Sequence, residues 1–248
     1  MLPRSSQRYQ TYRDTDSIGR RIRGFVLFLV LLFVVYEGVT TLLVATVEQE
    51  SVAMEPTLEV GDRLFTLPPA YGPRMALFGW TLPGLTNPAR GDLVTVRPGY
   101  APDQSFLARL ADPFYRFVTL ANRRTGEQTD WDSVLQIKRV VGLPGDTIRL
   151  ERFIAYVRPE GGAEFVSEFA LSRREYELVT DERPADWQPL DPFGPAGETI
   201  TLGDDEYFLL SDNRSSAIDS RHWGAVDAQS ILAKVSVRFW PLSRFGRP

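Results

Sequence analysis

Cysteine is absent from the 248-residue chain and histidine occurs once. The first absence excludes disulfides, thiolate metal sites and cysteine nucleophiles together, and it is compatible with either an oxidising or a reducing compartment. A single His222 excludes a multi-histidine metal centre and leaves a Ser-His-Asp triad open only if His222 belongs to it. Lysine is nearly as scarce: of 28 basic residues only Lys138 and Lys234 are lysines. Arginine keeps its proton in proteins whereas a buried lysine sheds it, so each of these two amines is worth asking about. Positive charge in bulk is missing as well. With Lys+Arg 28 against Asp+Glu 32 and a net charge of -4, a nucleic-acid partner is not expected. What is present, 43% hydrophobic and 24% charged residues with 19 Gly and 18 Pro, describes a folded protein rather than a low-complexity, collagenous or disordered one.

One long apolar run stands out, Gly24 to Val47, in which Glu37 is the only residue expected to carry charge. At ~1.5 Å per residue such a run crosses a hydrocarbon core of about 30 Å. A cleaved secretory signal, with an apolar core of only about 7 to 15 residues, would need no more than Gly24 to Tyr36. The continuation from Val39 to Val47 favours a retained transmembrane helix over residues 24–47. Glu37 is read as protonated or partner-bound and is given no role. Before the run, the tail 1–23 carries Arg4, Arg8, Arg13, Arg20, Arg21 and Arg23 against Asp14 and Asp16. That basic excess places the N-terminus in the cytoplasm and residues 48–248 outside, with membrane lipid as a partner.

Beyond the anchor, Leu93 to Arg97, Leu135 to Val141, Thr147 to Val157, Thr199 to Leu210 and Ile231 to Trp240 alternate and are rich in Val, Ile, Thr and aromatics. Gly, Pro and Asp punctuate them, which predicts a mostly β fold of antiparallel strands. Two stretches break the pattern. Pro98 to Trp131 has helical character near Pro113 to Arg123, and Glu160 to Pro195 is polar and proline-rich. The expected organisation is an N-terminal transmembrane helix, a β-sheet core of residues 48–157 and 199–248, and a smaller inserted lobe of residues 158–198.

Four segments carry the chemical signal: SVAMEPTLEVGDRLF at 51–65, RGDLVTV at 90–96, KRVVGLPGD at 138–146 and SDNRSSAIDSRHWGAV at 211–226. In this order, and behind an anchor, they resemble the motif boxes of the type I signal peptidases (bacterial leader peptidases, peptidase S26 type). The resemblance implies a membrane-bound serine endopeptidase that removes signal peptides from exported proteins with a Ser-Lys dyad. It also implies a bacterial cytoplasmic (inner) membrane location with the catalytic part on the outer, periplasmic side. Signal peptides ending in an Ala-x-Ala pattern would be the partners, and no cofactor is implied.

Carried over residue by residue, the resemblance places the nucleophile at Ala53, where the family has serine. A methyl group cannot attack a carbonyl, so the chain as written is expected to be inactive. Lys138 takes the place of the general base, which requires its pKa to fall from about 10.4 toward 7 to 8 by burial. Ser51 and the backbone N–H of Ala53 take the place of the oxyanion hole, on a segment read as extended, with the two side chains on one face. Ser51 as a substitute nucleophile is disfavoured, since a two-residue step moves its oxygen by roughly 6 to 7 Å. In the last box the family's lysine-orienting serine is Ala217 here and its leading glycine is Ser211. Asp212, Asn213, Asp219, Ser220 and Arg221 keep the pattern as structural support, with Asp219 and Arg221 a candidate ion pair beside Lys138. With both hydroxyls flanking the lysine read as missing, two functions stay open: a silenced peptidase, or a naturally inactive homologue that binds signal peptides without cleaving them.

Overall fold

The computed structural model describes residues 16–75, 80–97, 135–151, 153–180, 199–215 and 217–248. The expected helix near Pro113 to Arg123, the tail up to residue 15 and the later part of the inserted lobe, 181–198, lie outside these residues. The apolar run forms helix α1, Asp16–Leu42. Its outward side chains, among them Phe25, Leu27, Phe28, Leu31 and Val35, are exposed. Three arginines, Arg20, Arg21 and Arg23, lie in its first turns. Among the described residues, no helix is long and apolar enough to cross a membrane.

The helix also ends sooner than residue 47. Ala45–Glu48 form strand β1, paired antiparallel with β2, Arg63–Leu67, in the register Ala45↔Thr66 to Glu48↔Arg63. The reason lies in the period of burial: Val47 is buried with Met54, Leu58 and Leu64, while Thr46 and Glu48 on either side face solvent. A two-residue alternation suits a pleated edge strand and not a further helical turn. Residues 45–47 therefore belong to the sheet.

A short hairpin, β3 (Arg74–Met75) and β4 (Trp80–Thr81), follows, and then β5 (Leu93–Val96), β6 (Gln136–Gly142), β7 (Thr147–Glu151) and β8 (Ile154–Arg158). After β9 (Val166–Ser167) the chain makes one helical turn, Glu168–Leu171. β10 (Thr199–Thr201), β11 (Glu206–Leu210), β12 (Val226–Asp227) and β13 (Ile231–Trp240) complete the fold. Seven strands make one sheet in the order β1-β2-β13-β5-β6-β11-β12, and four make a second, β10-β7-β8-β9. Every named strand pair is antiparallel.

Two of the expected strands are each two strands. Thr147 to Val157 folds back as the β7–β8 hairpin, and Thr199 to Leu210 divides between the two sheets. The second sheet draws β9 from the segment expected to be a separate lobe. At its described end the segment is bonded to the last motif box: Val179 N–H donates to the Asp212 carbonyl and Arg214 N–H to the Val179 carbonyl, at 3.1 and 2.9 Å. Val94, Val96, Val140, Tyr207, Leu209, Val226 and Ile231 form one of three apolar cores, and it is this one that underlies the site.

Candidate active site

Lys138 and Val140 lie on the same face of β6, two residues apart, as period-2 pleating requires. Between β5 and β11 that face is the floor of an apolar core, so Lys138 is 2% exposed. Its amine donates to Ser211 Oγ at 2.7 Å and lies 5.7 Å from the centre of the Trp223 ring. Burial lowers its pKa to about 8, Asp219 and Asp212 opposing the fall and Arg221 adding to it. The two carboxylates do not cancel the effect because each already has its own guanidinium. Arg221 bridges both Asp219 oxygens at 2.7 and 2.8 Å, and Arg139 bridges both Asp212 oxygens at 2.7 and 2.6 Å. The Asp219–Arg221 pair expected beside the lysine is thus present. Burial pushes the Asp219 carboxyl up, but Arg221 outweighs it and holds the group below the ordinary carboxylate range.

The Ala53 segment is joined to this floor by the last motif box. Asn213 N–H donates to the Ala53 carbonyl at 3.0 Å, and the Asn213 side-chain amide donates to the Val52 carbonyl at 3.3 Å. Ser51 is extended, but Val52–Met54 form a 3-10 turn that Ser51 caps, its Oγ accepting the Ala53 N–H at 3.4 Å. The segment is therefore not the continuous strand expected, because Met54 turns inward to be fully buried with Leu58 and Leu64. Gln49, buried and not singled out in the sequence, ties Ser51 down: its amide donates to the Ser51 carbonyl at 2.6 Å and to Ser51 Oγ at 3.4 Å.

Ser220 Oγ accepts from the Leu209 N–H at 3.0 Å and from the Trp223 indole at 3.2 Å, which holds the ring against the lysine. Thr57 donates its hydroxyl to Asp212, and Arg139 also donates to the Gly91 carbonyl at 3.0 Å, so the first, second and last boxes meet at Arg139. His222 takes no part in a triad. Its Nδ1 accepts the Asp219 N–H at 3.3 Å, completing a capping box on the turn Ser220–Trp223. Burial lowers its pKa below the usual histidine value, against the pull of Asp219. Lys234, the other lysine, pairs with Asp92 at 2.6 Å and is partly exposed.

The sequence reading missed Ser211. It counted the lysine as stripped of both flanking hydroxyls, yet Ser211 supplies one. The reason lies in strand register, which local sequence does not show: Val140 faces Leu209 and Arg139 faces Leu210, so the next position, 211, falls opposite 138. Ala217 contributes no hydroxyl and is itself buried. Among the described residues no cluster of three or more His, Asp or Glu is placed to hold a metal ion.

Chemically, the arrangement offers a dry amine that is largely neutral above pH 8 and a methyl group at position 53. A proton can be taken up here; an acyl intermediate on residue 53 cannot form. The buried amine also has a cost in stability. With its pKa at about 8 in the folded state and near 10.4 when unfolded, the native state binds fewer protons between those values. Stability therefore rises from about pH 8 to about pH 10.4, and the penalty of a buried charge, about 3 kcal/mol, is present in full below pH 8. Lys138→Met is expected to raise the urea midpoint at pH 7 and to flatten this rise, which urea unfolding at pH 7 and pH 10 checks. His222→Ala is expected to cost about 1 kcal/mol through the lost hydrogen bond to the Asp219 N–H, read as a lower urea midpoint.

The family model for signal peptidase, peptidase S26, matches residues 22–240. Among its relatives, a probable signal peptidase I-2 of Synechocystis sp. is 28% identical over 196 residues, 79% of this chain and 63% of its own length. Signal peptidase I of Leptolyngbya laminosa is 29% identical over 196 residues, 79% of this chain and 68% of its own. Signal peptidase IB of Staphylococcus aureus is 33% identical over 109 residues, 44% of this chain and 55% of its own. The chain thus spans less than two thirds of the Synechocystis protein and about half of the staphylococcal one.

Proposed function

Because the chain belongs to the signal peptidase family, peptidase S26, we propose that it binds the signal peptides of exported proteins at a bacterial cytoplasmic membrane and, with Ala53, does not cleave them. One observation carries this reading: the Lys138 amine is dry, oriented and deprotonated near pH 8, while the residue it would activate has no oxygen. In the proposed roles Lys138 is the general base without a nucleophile, and Ser51 with the Ala53 N–H is the oxyanion hole. Asp212, Asn213, Asp219, Ser220 and Arg221 are the scaffold of both. In the structure Ser51 Oγ and the Ala53 N–H bond to each other, so substrate entry would exchange that contact for a carbonyl oxygen.

A signal peptide would add as a strand. β1 is an outer strand of the seven-stranded sheet and runs toward Ser51. Among the described residues no strand pairs with its outer edge, which would offer main-chain donors and acceptors where the scissile bond would lie. The exposed apolar surface of α1, with arginines at its start, supports its association with lipid. The same site also suits a working endopeptidase lacking one atom, and restoring that atom is the test. The Ala53→Ser chain, in detergent or liposomes, is expected to cut an Ala-x-Ala precursor that the Ala53 chain binds intact. Binding by neither chain would overturn the proposal. In the Ala53→Ser chain, cleavage should rise as pH passes through about 8, because Lys138 must lose its proton to act.

A further inference from the structure

We propose that Ser211 is the positioning residue for the Lys138 amine, replacing the hydroxyl that Ala217 lacks. The inference rests on the reading of Lys138 as the base. Ser211 directly follows β11, and the β6–β11 register brings position 211 across from 138 on the face that Val140 and Leu209 share. Its backbone is held on both sides: the N–H donates to Asp219 Oδ2 at 3.0 Å, and the carbonyl accepts from Arg214 Nε at 2.6 Å. Both partners are buried in ion pairs of their own, Asp219 with Arg221 and Arg214 with Glu168. The hydroxyl is thus a fixed point on a rigid strand end.

A lysine amine at the end of four rotatable bonds needs such a point, since only one of its conformers presents a lone pair to a reacting group. Ser211 Oγ at 2.7 Å supplies it, with the Trp223 ring centre 5.7 Å from the same amine. Ser211 is not a nucleophile, because it is completely buried and no peptide carbonyl can approach it. Ala217 is also buried, with its carbonyl accepting from Arg221 Nη2 at 3.3 Å, and its side chain offers no polar atom. The charged and titratable groups around the amine are Asp219, Asp212, Arg221 and His222, and a change of the 211 side chain removes none of them.

The test uses the full chain in detergent with 13C-labelled lysine, whose two lysines give two side-chain signals. Ser211→Ala removes an acceptor from the ammonium form and is expected to lower the Lys138 titration midpoint by about half a pH unit or more. In the Ala53→Ser chain the same change should reduce kcat about 10- to 100-fold with KM within about twofold. Ser211→Gly combined with Ala217→Ser should recover most of that loss. A titration midpoint unmoved by Ser211→Ala overturns the proposal, whatever the kinetics. If the Ala53→Ser chain cleaves nothing, it is the reading of Lys138 as the base that falls, and the titration still decides whether Ser211 holds the amine.

Discussion

The Ala53→Ser chain is expected to cleave an Ala-x-Ala precursor at least ~10⁴-fold faster than the unaltered chain, the largest effect of any single substitution in the molecule. The scale comes from serine proteases in which loss of the nucleophile alone costs about 10⁶ in kcat, because the members of a catalytic unit act together. What remains without the nucleophile is binding and oxyanion stabilisation, worth about 10³ to 10⁴ over water. The other residues proposed for the unit are each held in place. The lysine is buried, bonded to Ser211 and 5.7 Å from the Trp223 ring centre, and the turn that carries residue 53 is clamped to Asn213. A serine hydroxyl adds one atom to a half-buried alanine, so it requires no repacking. Lys138→Met in the serine chain should abolish the gain. Mass-spectrometric detection of the two peptide products reads both variants, and a serine chain that binds precursor yet leaves it intact would contradict a poised base.

Glu168→Ala is expected to be the most destabilising single change outside the site, by about 3 to 5 kcal/mol. Arg214 and Glu168 form a bidentate pair at 2.6 and 2.9 Å, with side-chain exposures of 0% and 1%. Glu168 also accepts the Ala155 N–H at 2.8 Å and the Tyr176 hydroxyl at 2.6 Å. Burial drives the Tyr176 hydroxyl pKa above its ordinary value, with Glu168 adding to the rise, so this tyrosine stays a neutral donor. Deleting the carboxylate strands a guanidinium charge and two donors in the interior, where each unpaired group carries its full desolvation penalty. At 2 to 4 °C per kcal/mol, the melting temperature should fall by roughly 10 °C. The double variant Glu168→Leu, Arg214→Met should recover much of the loss, since it leaves no charge behind. A fall of only a degree or two in the single variant would contradict the account of this pair. The consequence reaches the site, because Arg214 also holds the Ser211 carbonyl.

These two cases mark how far the sequence could be read. Lys138 was legible because lysine is rare in this chain and because an alternating, β-branched strand surrounds it. The β5, β6 and β13 strands were legible for the same reason. The β7–β8 turn was not, since alternation continues through it and Glu151 and Phe153 are not turn residues. Strand β1 was hidden inside the apolar run: Ala45 and Val47 serve a helix or a buried strand face equally well, and only the pairing with β2 decides between them. Arg214 and Glu168 are 46 residues apart and Gln49 stands in no motif, so neither contact leaves a local trace. Ser211 was visible only as a departure from a glycine. Its meaning required the register between β6 and β11, which local pattern does not contain.

The claim on which the rest depends is that Lys138 is held without water and loses its proton near pH 8. Direct titration of its labelled side chain in the unaltered, full-length chain tests this most simply, with Lys138→Met identifying the signal. A midpoint near 8 is the predicted result. A midpoint at the ordinary lysine value of about 10.4 would mean a solvated amine, and the proposed base would be no base at all.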